Sequence, residues 1–348
     1  MVPPVPESRR SNNLVIASAV FVVAPVTAPA QAETPLGYLR SFGAMAHAIT
    51  PLTWGLLIIS LVVCVIVIAL VLGGIVLKRQ AGHITAAIPL MRGGDGAGWV
   101  GLGVGISSVV LLGSMIWTVV VLAAINEPPS KPALTIEVTG QQWWWKVRYL
   151  SDDPSRILTT ANEIHIPTGK PVRVELIGAD VIHSFWVPLL SGKTDVIPGQ
   201  TNVTWLEADR PGRYAGLCSE FCGVQHAHMG FEIVAQSPRD FEAWWNAQLK
   251  PAATTGSSVI ARGATLFAYR CGACHTVRGT EAGGAVAPDL THLMSRATIA
   301  AETLPNNVGN LSGWIANPQA IKPGTLMPTV YLSGPELNDI RSFLLTLK

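Results

Sequence analysis

Charge is scarce in this chain. Of its 348 residues only 13% are Asp, Glu, Lys or Arg, whereas 49% are hydrophobic. Soluble domains carry about 25% charged residues, so this composition excludes a wholly water-exposed molecule and places part of the chain in lipid. The net charge of +2 provides no basic field, which excludes nucleic acid as a partner. No internal repeat is visible. Cysteine is sparse and odd in number at five, and four of the five fall in two tight pairs. That usage looks more like cofactor ligation than a disulfide framework. The fifth, Cys64, sits without a partner in an apolar run and is read as a small buried apolar residue.

What is present falls into segments, and the length indicates two or three domains. Arg9 and Arg10 precede the apolar run Leu14 to Val26, and Ala30-Gln31-Ala32 is a small-residue cleavage site. Residues 1–32 therefore read as an export signal, the rival being an uncleaved first membrane helix. Two uncharged stretches follow, Pro51 to Leu77 and Trp99 to Ile125, each long enough to span the hydrocarbon as a helix. The connection between them holds Lys78, Arg79 and Arg92 against the single acid Asp95. Basic loops stay inside, so both ends of this hairpin (residues 33–127) and everything after it face outward. From 128 to 247, short alternating runs such as Thr135-Ile136-Glu137-Val138 and Val172-Arg173-Val174-Glu175-Leu176 indicate an all-β sandwich or barrel. A small polar linker over 248–258 leads to a helical segment, 259–348.

Two constellations carry chemistry. Cys218-Ser219-Glu220-Phe221-Cys222 and Gln225-His226-Ala227-His228-Met229 place two thiolates, two imidazoles and a thioether in one loop. Soft sulfur with imidazole and a thioether selects copper over magnesium, calcium or manganese. One thiolate serves a mononuclear site, and a second at this spacing can bridge two metal ions. A distant ligand is still required, and His183, at a strand end before a turn, is the candidate; by itself it would read as a hydrogen-bonded core histidine. A disulfide and a zinc site are the rival readings of the cysteine pair, and neither accounts for Met229. Further on, Cys271-Gly272-Ala273-Cys274-His275 is the c-type haem attachment sequence, with two thioether bonds and His275 as the proximal ligand. No second cysteine pair is available in that segment to complete a zinc site. Met327, before Pro328, is the candidate for the sixth ligand, with Met294 and His292 as competitors.

On these residues the chain resembles cytochrome c oxidase subunit II, over roughly residues 40 to 247. The resemblance implies a transmembrane α-helical hairpin, an all-β cupredoxin-like barrel with a dinuclear copper centre, and, in a type of oxidase that carries its own haem c, a fused all-α cytochrome c domain. It implies that Cys218 and Cys222 bridge two copper ions. His183, His226 and Met229 would be the terminal ligands, with Glu220 contributing its backbone carbonyl; His228 falls where the family has no ligand. The Glu220 side chain would reach a magnesium or manganese ion shared with subunit I, and Asp195 would lie near the copper site. Trp143, in Gly140-Gln141-Gln142-Trp143-Trp144-Trp145, matches the exposed tryptophan at which electrons enter. Trp144 and Trp145 would pack on the membrane surface or on subunit I. Pro288-Asp289-Leu290 and Thr291-His292-Leu293 resemble the haem-packing segment of the fused cytochrome domains.

The implied function is electron entry. Electrons would pass from cytochrome c or a cytochrome bc complex, by haem c and copper, to haem in subunit I, where oxygen is reduced with proton pumping. The chain would thus be part of an enzyme that holds its reaction elsewhere. It would sit two-pass in the bacterial cell membrane beside subunit I and other subunits such as subunit III. One departure stands out. Family members carry a glutamate near the start of the second helix, at a proton pathway, and this chain has Gly96 there with Asp95 beside it. Asp95 is therefore a candidate for proton entry, or else only a solvated charge. The missing glutamate also leaves open the copper-bearing subunit of a nitric oxide reductase. A metal-free subunit of the quinol-oxidase kind conflicts with the intact ligand set, and the hairpin excludes a soluble nitrous oxide reductase.

Overall fold

A computed structural model describes residues 37–76, 96–253 and 256–348. The expected export signal, the basic loop with Asp95 and the middle of the linker lie outside the described residues. Helix α1 runs Ala44–Val76 and α2 runs Gly96–Ile125, and neither contains Asp, Glu, Lys or Arg. Leu61, Ile66 and Leu70 on α1, and Val109, Leu111 and Leu122 on α2, are exposed. A helix apolar on all sides has to be covered by lipid or by other subunits. Ala44–Gly73 and Ala97–Ile125 are each long and apolar enough to cross a membrane. Cys64 is exposed on this surface rather than buried.

Helix α1 starts at Ala44 rather than at Pro51, because its first turns are held from outside the helix. The Ala46 N–H donates to the Leu190 carbonyl at 3.2 Å. His47 bridges Ser41 Oγ at 2.8 Å and Asp209 Oδ2 at 2.7 Å. At the other end, Trp205 Nε1 donates to the Ile125 carbonyl at 2.9 Å. Both helices are thereby tied to the β-domain that follows.

That domain is a sandwich of two five-stranded sheets. The first holds β1 (Leu134–Gln141), β2 (Trp144–Leu150), β3 (Leu158–Ala161), β5 (Val172–Gly178) and β8 (Thr201–Leu206), in the order β3-β2-β1-β5-β8. The second holds β4 (Glu163–Pro167), β6 (His183–Trp186), β7 (Thr194–Val196), β9 (Gly212–Cys218) and β10 (Gly230–Gln236), in the order β4-β10-β9-β6-β7. Period-two alternation points Ile136, Val138, Trp145, Val147 and Tyr149 inward, against Phe185 and Phe231 of the other sheet. Phe185 and Phe231 stack with ring centroids 4.4 Å apart, and the Trp145 edge meets both. Burying each such side chain stabilises the fold by roughly 1.5–3 kcal/mol. Helix α3 (Pro238–Gln248), capped by Ser237, seals one end with Phe241 and Trp245.

The C-terminal part is helical: α4 (Ser258–Arg270), α5 (Val308–Ala316), α6 (Pro318–Ile321) and α7 (Gly334–Leu344), with one pairing of two-residue strands, Thr298–Ile299 and Leu304–Pro305. Helices α4 and α7 cross at Gly263, where a Cβ would lie 2.0 Å from the Asp339 carbonyl oxygen. Phe267 and Phe343 fill the core beside that crossing. A Ser333–Glu336 capping box starts α7.

Candidate metal and haem centres

The sulfur-rich loop leaves β9 at Cys218 and enters β10 after Met229, and adjacent β6 starts at His183. Antiparallel pairing of β9 with β6 and β10 therefore brings one end of each strand to one corner of the sandwich. There Cys218 Sγ lies 3.8 Å from Cys222 Sγ and 3.9 Å from His183 Nδ1. Cys222 Sγ lies 3.6 Å from His226 Nδ1 and 3.8 Å from Met229 Sδ. The Glu220 carbonyl oxygen is 3.2 Å from Cys218 Sγ. Both sulfurs, His183 and Met229 are buried. His228 turns away, its Nδ1 2.7 Å from Gln225 Oε1.

The corner is prepared for positive charge. Hydrogen bonding from Cys222, and then from His183, holds the Cys218 thiol well below its ordinary value. Asp180 Oδ1 lies 2.8 Å from His183 Nε2, which leaves Nδ1 facing the sulfurs. Burial would push His183 down, but its bonds to Cys218 and Asp180 outweigh this, and its net shift is upward. Asp180 is itself held by the backbone N–H groups of Gln142 and Val181, each at 2.7 Å. Gly140 allows the close approach of this imidazole: a Cβ there would lie 3.1 Å from His183 Cδ2. A carboxylate fixing a ring nitrogen opposite the ligating one is the common support of a metal-bound histidine. Asp180, three residues ahead of His183, is a residue that this rule picks out in the sequence.

Beside this corner, Lys193 Nζ stands 4.0 Å from both Asp195 Oδ1 and Glu220 Oε2. Asp195 Oδ1 is buried and makes no hydrogen bond. Two carboxylates thus share one ammonium, and carboxylate oxygens are the ligands that hard divalent cations take.

Trp143 occupies the turn between β1 and β2, and it is 7% exposed rather than open to solvent. The cytochrome-like domain covers it. A cavity of about 340 Å³ in that domain is lined by Cys271, Cys274, His275 and Met327, and its wall is completed by Trp143 and Trp144. His275 Nδ1 lies 2.8 Å from the Pro288 carbonyl, so Nε2 is the nitrogen that would hold a haem iron. Burial lowers the His275 pKa, favouring the neutral, ligating form. An apolar slot beside two free cysteines and a neutral histidine fits a covalently attached haem. The competitors for the sixth position are engaged elsewhere. His292 has its ring nitrogens 2.7 and 3.0 Å from the Lys348 and Lys250 carbonyls, and Met294 packs in the helical core. Trp145, expected on an outer surface, is fully buried inside the sandwich, and Trp144 faces the cavity.

The two domains meet along a polar seam. The Trp143 indole donates to the Cys222 carbonyl at 3.0 Å, joining the cavity wall to the sulfur-rich loop. Lys322 Nζ donates to the Trp143 carbonyl at 2.7 Å, and Gln225 Nε2 to the Pro323 carbonyl at 2.7 Å. Glu163 Oε2 accepts from the Ala297 N–H at 3.1 Å. The start of the linker is held as well: the Ala252 N–H donates to the Arg278 carbonyl at 2.9 Å.

Comparison with known proteins agrees with this layout. Residues 149–237 match the family described as cytochrome c oxidase subunit II, periplasmic domain, and residues 260–348 match cytochrome c. Cytochrome c oxidase subunit 2 of Alkalihalophilus pseudofirmus is 38% identical over 215 residues, 61% of each chain. A probable cytochrome c oxidase subunit 2 of Rickettsia bellii is 35% identical over 181 residues, covering 43% of this chain and 67% of that one. The chain spans 61%, 66% and 64% of the length of three curated bacillar relatives. Among solved structures, the periplasmic domain of subunit II of the Bradyrhizobium japonicum cytochrome oxidase is 34% identical, with a TM-score of 0.32, covering 34% of this chain and 95% of that one.

Proposed function

The chain belongs to the cytochrome c oxidase subunit II family, and from that premise we propose that it is the electron-entry subunit of a respiratory oxidase, with haem c upstream of copper. Cys218 and Cys222 would bridge two coppers, with His183, His226, Met229 and the Glu220 carbonyl completing the set. Cys271, Cys274, His275 and Met327 would hold the haem. Bound there, the two groups supply one-electron redox chemistry at two points of one chain. The chain's own residues do the rest. Asp180 and the Pro288 carbonyl fix two imidazoles with a nitrogen facing each site. Burial of both cysteines and Met229 keeps water from the sulfurs.

The observation that carries this reading is the position of Trp143. Its indole lines the haem cavity and donates to the Cys222 carbonyl, so one residue touches both sites. Several finer assignments belong to the same proposal. Glu220 and Asp195 would hold magnesium or manganese at the boundary with subunit I, and Asp95 would stand in for the missing glutamate in proton uptake. Subunit I would reduce oxygen, coupled to proton pumping. The hairpin would lie in the bacterial inner membrane, with both redox domains on the outer side, beside other subunits such as subunit III. The donor would be cytochrome c or a cytochrome bc complex.

Truncation after Lys250 tests the electron order. The shortened complex is expected to keep its copper and its activity with small artificial reductants, and to lose most turnover with the natural donor. In the intact complex, rapid-mixing spectra should show haem c reduced before copper. Copper reduced first would refute the order.

A further inference from the structure

Lys322 is a buried ammonium, 2% exposed, on the cytochrome-like domain. Its three donors reach three backbone carbonyls: Trp143 at 2.7 Å, His228 at 2.5 Å and Ala300 at 3.0 Å. Two of these belong to the β-domain and one to its own domain. Burial pushes the Lys322 pKa down to about 7, which marks how costly the placement is. A seam that needed only packing would use Leu or Met here, because neutral carbonyls compensate a buried charge incompletely. With the domains apart, the ammonium would return to water and two of its acceptors would be exposed.

The neighbouring contacts converge on the same loop. Gln225 Nε2 bonds the Pro323 carbonyl, next in chain to Lys322. The Gly230 N–H donates to the Ala301 carbonyl at 3.3 Å. Ala300, Ala301 and Glu302 all adopt left-handed backbone, φ 55°, 57° and 62°, which L-residues rarely enter. That turn presents the Ala300 carbonyl to Lys322 and the Ala301 carbonyl to Gly230. The segment 225–230 is thus gripped at Gln225, His228 and Gly230, between and beside His226 and Met229.

We propose that Lys322 is the positioning residue that seats the cytochrome-like domain over Trp143 and, through the same contact, sets the backbone carrying His226 and Met229. Its mechanical part stands on the hydrogen bonds alone; its consequence for electron transfer rests on the function proposed above. Docking of one domain and ligand geometry in the other are then one event.

The test uses the full chain in its complex, loaded with copper and haem. In Lys322→Met, amide hydrogen exchange at Gly230 should rise at least about tenfold, the change that loss of a hydrogen bond to a charged group carries. The copper electron paramagnetic resonance spectrum should shift, and haem-to-copper electron transfer should slow by a similar factor. Copper and haem content should stay unchanged. Lys322→Gln keeps N–H donors and should fall between, which preserves the test if the methionine variant folds poorly. Unchanged exchange at Gly230 in both variants would overturn the proposal. Faster exchange with unchanged electron transfer would uphold the seating role and instead refute Trp143 as the route between the sites.

Discussion

In the sulfur-rich loop, four neighbouring donor pairs lie 3.6–3.9 Å apart, and every donor comes from the β-domain. The haem cavity differs: Trp143 and Trp144, from that other domain, complete its wall. The difference follows from what each site must hold. A small ion requires several donors at fixed short range, which a strand corner with a carboxylate behind its histidine provides. A large flat apolar group requires a slot, and a slot between small helices stays open on one side. Closing it with the partner domain places the two sites in register. Burial of Trp143 therefore draws on both domains, whereas burial of Cys218 and Cys222 belongs to one fold.

The comparison breaks most sharply at the sulfurs. Cys218→Ser should remove the dinuclear copper signal altogether while haem attachment, confined to the other domain, continues. Elemental analysis and electron paramagnetic resonance, set against the haem optical spectrum, check both halves. Loss of haem together with copper would show that the sites are not built independently.

Met327→His probes the open site in the same way. Imidazole in place of a thioether should lower the haem potential on the order of 0.2 V, a fraction of the range axial ligands span. Redox titration measures it, and an unaltered potential would remove Met327 from the ligand set. Asp180→Asn should weaken copper binding by about 10–100-fold, since it loosens a ligand without removing one. Competition with a copper chelator gives the value, and the haem should be unaffected.

The seam between the domains should respond to acid, with a smaller effect. Burial works against ionised Glu163, yet hydrogen bonds from His165 and the Ala297 N–H, with the charges of His165 and Arg213, hold its pKa at about 2. Because that value lies below the ordinary 4.5, the stabilisation is complete above about pH 4.5 and is lost as pH falls toward 2. Of these interactions only the bond from the Ala297 N–H crosses the seam, so the seam carries a fraction of that stabilisation. Glu302, also at the seam, is shifted the other way, to about 8, by burial and by Glu232. Its contribution is present at low pH and is lost as pH rises through 8. Hydrogen exchange at Ala297 against pH should reveal the acid limb, and Glu163→Gln should flatten it.

Much of this was legible from residue order. Lack of charge over 51–77 and 99–125 is enough to mark two spans, because lipid tolerates no unpaired charge. Cys218, Cys222, His226 and Met229, and likewise Cys271, Cys274 and His275, sit close in sequence, so short-range geometry alone brings them together. His183 could be nominated from its place at a strand end, but its pairing with the sulfurs depends on the register of β6 against β9. The roles of the tryptophans were not legible. Three stand in a row, and only the hairpin turn at Gln142 and Trp143 sends Trp145 into the sandwich and Trp143 under the neighbouring domain. Lys322 carried no signal at all, since its acceptors are backbone carbonyls 22, 94 and 179 residues away, which any sequence possesses. Local spacing and composition thus determined which groups this chain can hold and where lipid must cover it. Tertiary structure alone decided how the two sites face each other, because that depends on long-range contacts whose partners leave no mark in side-chain chemistry.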